Sequence, residues 1–273
     1  MNGIRQWLKM FQDVSCFYRH MLMLPLWNKY HNYQNSIVDS LAIFLEGYAF
    51  ERQGTRPDYS HAAVDSLIAC KNNLTPNCVW KNFKQKLNNR LNQRLNPIYP
   101  SSNPDNIQNI NEEKSVIEVL NLQNQSTLST YINNLMTQGN NIIQSFEFLK
   151  NIRGVGDKIA SFYLRDLVVV LKLNLGNVQN RQLLQPIDIW VERVIKCLVV
   201  SQNMNKDEVA NWIVTNSLKY DLNPEYINMG IWFYGSIIAN SEYRLNRTLR
   251  DMDMARSLIK DFRSRIANVS KNC

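Results

Sequence analysis

A lysine directly after a Gly-Val-Gly turn, with an aspartate thirty positions on, is the pairing in this chain best suited to chemistry: Gly154-Val155-Gly156-Asp157-Lys158, then Asp188. An unprotonated amine attacks electron-poor carbon, and a nearby carboxylate can orient it and move protons. Lys158 and Asp188 are therefore the candidate catalytic residues. The turn adds a second capability. Gly154 and Gly156 can adopt backbone angles closed to other residues and admit another backbone at close range. Successive N–H groups at the helix start that follows can bind phosphate without a side chain. Arg153, Gly154, Val155 and Gly156 are the candidate phosphate-binding segment, with Arg153 and Lys158 adding positive charge. The same Gly-x-Gly spacing also serves as a plain helical hairpin that binds nothing.

The flanking pattern is helical. Ile142, Ile143, Phe146 and Leu149 recur at three- and four-residue spacing before the turn. Ile159, Phe162 and Tyr163 do so after it, with Asp157 the expected N-cap. Asp188 precedes the apolar pattern Trp190, Val194, Ile195, Leu198, so it also reads as an N-cap. Helices are expected near 4–22, 35–51, 61–72, 78–95, 114–122, 126–138, 141–152, 157–171, 188–202, 206–218, 224–240 and 251–268. Strand alternation is absent: Val168-Val169-Val170 continues the Lys158 helix, and 96–111 reads as a loop. The fold class is all-α.

Leu149-x-x-Ile152-x-Gly154-Val155-Gly156-x-Lys158-Ile159-Ala160, followed by Gln185-Pro186-Ile187-Asp188-Ile189-Trp190, resembles the helix-hairpin-helix DNA glycosylases with a Gly/Pro-rich loop and an essential aspartate. The long interval from hairpin to aspartate is similar to the archaeal 8-oxoguanine DNA glycosylase branch. The resemblance covers roughly residues 142–240. It implies a two-lobed helical fold with the active site in the cleft between lobes. Residues 40–170 would form the central lobe, and 1–39 with 171–273 the second. It implies a glycosylase and AP lyase acting on double-stranded DNA that carries a damaged base, best matched to 8-oxoguanine. Lys158 would form a Schiff base with the sugar, and loss of a C2′ proton would then expel the 3′ phosphate. The base would be flipped into a pocket containing Phe162 and Trp232. Two positions depart from the branch. The base-reading glutamine, aligned on Gly47-Tyr48, is Ala49 here, with Gln53 and Gln34 as other candidates. One turn before Trp232, Asn228 stands where an acid is usual. Excision of another modified or normal base, and a non-enzymatic helix-hairpin-helix DNA-binding protein, are the alternatives. A helical protein-interaction module is a further class.

Lysine and arginine total 31 against 23 acids, a net charge of +8 and pI near 9.2, which suits a polyanionic partner. Lys81, Lys84, Lys86, Arg90 and Arg94 flank an apolar helix stripe of Phe83, Leu87, Leu91 and Leu95, with no acid between 81 and 94. Residues 244–273 carry eight basic and three acidic residues. Either stripe can track phosphates, and Trp80 is a further stacking candidate. Cys16, Cys70, Cys78, Cys197 and Cys273 form no C-x-x-C motif, and His20, His31 and His61 lack ligand spacing. No metal and no cofactor are expected. The odd, dispersed cysteines suggest a reducing compartment. No apolar run is long enough to span a bilayer, so the expectation is a cytoplasmic, nucleoid-associated monomer without membrane contact.

Overall fold

The computed structural model describes residues 2–49, 57–92, 115–122, 126–139, 141–175, 178–199 and 203–266. The helices are α1 (Asn2–Tyr18), α2 (Leu24–Lys29), α3 (Ile37–Phe44), α4 (Pro57–Ala69), α5 (Pro76–Asn92), α6 (Val116–Leu122) and α7 (Leu128–Gly139), then α8 (Ile143–Lys150), α9 (Asp157–Val170), α10 (Ile189–Val199), α11 (Lys206–Lys219), α12 (Pro224–Phe233), α13 (Glu242–Thr248) and α14 (Met252–Arg265). No strand occurs among the described residues, where one isolated bridge joins Asn141 and Gln179. The fold is all-α. The loop expected at 96–111 lies outside the described residues, as do Gln53, Arg94, Leu95, Gly176 and Cys273.

Contacts divide the chain into two units. The first holds Met1–Pro25, Val168–Leu173 and Asn180–Cys273; the second holds Leu26–Leu167 and Asn174–Gln179. In the first, α1 lies along α12. Gly230 makes this possible: a Cβ there would sit 1.7 Å from the Phe11 carbonyl oxygen, so only glycine allows the backbones to meet. Phe17, Phe233 and Phe262 close a ring cluster among α1, α12 and α14, with centroids 5.5 to 6.0 Å apart. Side-chain caps fix where its helices begin. Asn205 and Glu208 form a reciprocal capping box on α11; Asn223, Ser241 and Asp251 cap α12, α13 and α14. α13 is absent from the sequence expectation because Leu245 and Thr248 are its only buried residues. The helix α2 is likewise unexpected: it continues from α1 through the π-helical turn Arg19–Met23, where the Leu24 amide donates to the Arg19 carbonyl, and Pro25 follows that turn directly.

In the second unit α4 and α5 pack together. Their junction carries a disulfide, Cys70–Cys78, eight positions apart in sequence. This corrects the expectation of unpaired cysteines: α5 folds back on α4 and brings together two thiols whose spacing carries no motif. Cys197 is free among the described residues. Closing a loop this short restricts the unfolded chain by about 2.5 kcal/mol. Without reductant, Cys70→Ala/Cys78→Ala is therefore expected to show a lower urea midpoint of unfolding than the wild type. Lys81 and Lys84 of α5 face solvent while Phe83 and Leu87 are buried, as the stripe pattern implies. Arg90 pairs with Asp65, and Trp80 stacks on Phe83 with Lys84 over its ring.

Among the described residues no helix is long and apolar enough to cross a membrane. No group of three or more His, Cys, Asp or Glu there is placed to hold a metal ion.

Candidate active site

Lys158 belongs to the second unit and Asp188 to the first. The hairpin begins where α8 stops at Lys150. Ile152 turns inward, and the Val155 amide donates to the Ile152 carbonyl at 3.0 Å. Gly154 takes φ 82°, a left-handed angle that strains any other residue. The first helical bond of α9 runs from the Ala160 amide to the Gly156 carbonyl. Gly156 is therefore the N-cap, and Asp157 is not. A glycine cap has no side chain to offer, so the amides of Asp157, Lys158 and Ile159 precede the first intrahelical bond with no capping group. Asp157 instead turns to Lys150, 3.0 Å away, and this bond raises the Lys150 ammonium above its ordinary pKa. Arg153 and Lys158 are exposed, and Lys158 enters none of the ion pairs among the described residues. A Cβ added at Gly156 would meet nothing within 4 Å.

An open glycine cap gives a prediction of opposite signs. Gly156→Asp supplies the missing cap and is expected to raise stability by a few tenths of a kcal/mol. If the amides hold a phosphate, the same carboxylate competes with it and weakens duplex binding at least tenfold. Thermal melts and fluorescence anisotropy read the two effects. Equal duplex binding by the variant and the parent would remove the phosphate role from the turn.

One turn past Lys158, Phe162 is 9% exposed and packs edge-on against Tyr48 at 5.2 Å. Arg165 lies over its ring at 4.7 Å. Arg165 and Asp166 form an ion pair in which both side chains are 1% exposed. The Tyr48 hydroxyl donates to Asp166 Oδ2 at 3.0 Å, and Trp27 Nε1 donates to that hydroxyl at 3.0 Å. The structure thus ties Lys158, by way of α9, to a buried chain of Arg165, Asp166, Tyr48 and Trp27. Sequence reasoning missed this chain, although two adjacent charges inside the apolar run 159–170 were the available signal. Ala49 is buried beside Tyr48, in the turn Leu45–Ala49. Gln34 accepts from Thr127 and Thr130 through its backbone carbonyl.

In the first unit Asp188 caps α10. Its Oδ1 accepts from the Trp190 and Val191 amides at 2.9 and 3.0 Å. Its Oδ2 accepts from Trp232 Nε1 at 2.8 Å. An ionised carboxylate has about four acceptor positions, and these bonds use three, leaving a lone pair on Oδ2. Trp232, half-buried, also meets Tyr18 edge-on at 5.8 Å. Asn228, fully buried, donates to the Pro186 carbonyl at 3.3 Å. Glu225, a turn earlier, takes a two-pronged bond from Arg181 at 2.9 and 2.7 Å. Glu225, Asn228 and Trp232 share one face of α12 and together pin residues 181–188. Arg181 and Glu225 carry no sequence motif; their trace is a polar stripe at i, i+3 and i+7 on an apolar helix.

No protein-family model matches the chain, and no solved structure matches it. It is similar to the uncharacterized protein MJECL21 of Methanocaldococcus jannaschii, at 26% identity, over 97% of this chain and 74% of that protein.

Proposed function

We propose that this chain is a helix-hairpin-helix DNA glycosylase with AP lyase activity, acting on duplex DNA at a damaged base, best matched to 8-oxoguanine. The observation that carries the reading is Lys158: an exposed amine outside any described ion pair, on the first turn of a helix whose cap is a bare glycine. On this reading the fold is the two-lobed glycosylase arrangement, with Lys158 on one lobe and Asp188 on the other. The hairpin amides and Arg153 take a backbone phosphate. The target base leaves the stack, with Phe162 and Trp232 supplying aromatic surface and Asn228 and Ala49 shaping the pocket.

The Lys158 amine attacks C1′, the C1′–N bond breaks, and the base departs with that bond's electron pair and takes a proton from water. The Asp188 carboxylate, fixed by three N–H donors, takes the proton lost by the amine and steadies the positive charge at C1′. The C1′–O4′ bond then breaks as the Asp188 carboxyl returns its proton to O4′, and the opened sugar is joined to Lys158 as a protonated imine. Removal of a C2′ proton moves its electrons toward the imine and expels the 3′ phosphate. Water releases the lysine.

The test is a panel of labelled duplexes, each with one modified base, resolved on denaturing gels. The reading expects a nick at the modified position and none in the unmodified duplex. Salt-sensitive binding to every duplex without scission would instead mark a DNA-binding module.

A further inference from the structure

α13 and α14 meet at a turn that presents a different kind of surface. Leu245, Thr248 and Leu249 are buried and anchor it; Thr248 accepts from the Tyr234 hydroxyl at 2.6 Å. Tyr243, Asn246, Arg247 and Arg250 recur at three- and four-residue spacing and face outward. With Asp251 and Met254 they line a pocket of about 490 Å3. Tyr243 is 73% exposed, the most exposed large apolar side chain among the described residues, and Met254 is 40% exposed. Arg247 and Arg250 enter no ion pair there. The neighbouring acids are engaged elsewhere: Glu242 pairs with Arg193, and Asp251 Oδ1 caps α14 through the Asp253 and Met254 amides.

We propose that this pocket binds one unpaired nucleotide of a nucleic-acid strand. The Tyr243 ring stacks on the base, Met254 closes the other edge, and Arg247 and Arg250 hold the flanking phosphate. The pairing of an exposed aromatic face with two guanidinium groups suits a planar base joined to a phosphodiester, because each base has a face to stack and each phosphate accepts a forked donor. An acidic peptide would use the arginines and leave the tyrosine face uncovered. The pocket's volume falls within the roughly 300–1,000 Å3 usual for ligand sites. The proposal fits a DNA-directed enzyme, and its evidence is independent of Lys158 chemistry.

The experiment measures anisotropy of a short labelled oligothymidylate with the full chain carrying Lys158→Gln, across a salt series. Tyr243→Ala is expected to weaken binding about tenfold, and Tyr243→Phe to leave it unchanged. Arg247→Gln/Arg250→Gln should reduce the slope of log K against log salt by about 1.4, with the double lysine variant keeping the slope. Tyr243→Ala with otherwise native Lys158 should still nick at saturating duplex, so loss of nicking and loss of strand binding are separable. Equal binding by Tyr243→Ala and Tyr243→Phe would overturn the proposal. So would polyglutamate competing as well as DNA of equal charge, which would assign the pocket to an acidic protein.

Discussion

If the proposed activity holds, Asp188→Asn is expected to slow base release by about a thousandfold while the chain stays folded. The geometry explains both halves. Asp188 faces three donors: two α10 amides on Oδ1 and the Trp232 indole on Oδ2. An asparagine has only one acceptor oxygen. Keeping the helix cap turns its NH2 toward the indole N–H, so one charge-assisted bond becomes a donor–donor contact. That costs about 1–2 kcal/mol of stability. The remaining Oδ2 lone pair, the place where a proton can be taken, is lost as well. Trp232→Phe removes the opposing donor, so the double variant is expected to recover stability and not activity. Single-turnover kinetics with thermal melts read the two separately. Nicking by Asp188→Asn within a few-fold of wild type would reduce Asp188 to a helix cap.

Asp166→Ala is expected to destabilise the chain by about 3–5 kcal/mol, the usual consequence of removing one partner of a buried ion pair. Arg165 is 1% exposed and would lose a carboxylate partner, and the Tyr48 hydroxyl would lose an acceptor. A melting temperature lower by about 10 °C is the corresponding signal. Replacing both charges by apolar residues, Arg165→Met/Asp166→Leu, should recover most of the loss. A cost below about 1 kcal/mol for the single variant would mean that water reaches the pair. Because Arg165 also lies over Phe162, Asp166→Ala should loosen the ring as well, visible as faster hydrogen exchange along α9.

The helices were legible where periodicity is strong. Ile159, Phe162 and Tyr163 mark α9, and its continuation through Val168–Val170 follows from the same spacing. Local pattern does not choose tertiary partners, however. Nothing in the order of residues joins Trp232 to Asp188, Glu225 to Arg181 or Cys70 to Cys78, since each pairing depends on how separate helices pack. The hairpin shows the same limit at short range. Both glycines are visible in the sequence, but only Gly154 needs its unusual angle, while Gly156 serves as a side-chain-free cap. Asp157, placed by its type at the cap, is drawn to Lys150 because a cation stands within reach. Ala49 and Asn228, where the resemblance leads one to expect a glutamine and an acid, are both buried.

The most direct measurement is borohydride trapping on labelled duplex carrying an abasic site or a modified base. The account predicts a covalent protein–DNA adduct with the wild type, located at residue 158 by peptide mass, and none with Lys158→Gln. Absence of any adduct, or trapping that survives Lys158→Gln, would contradict it.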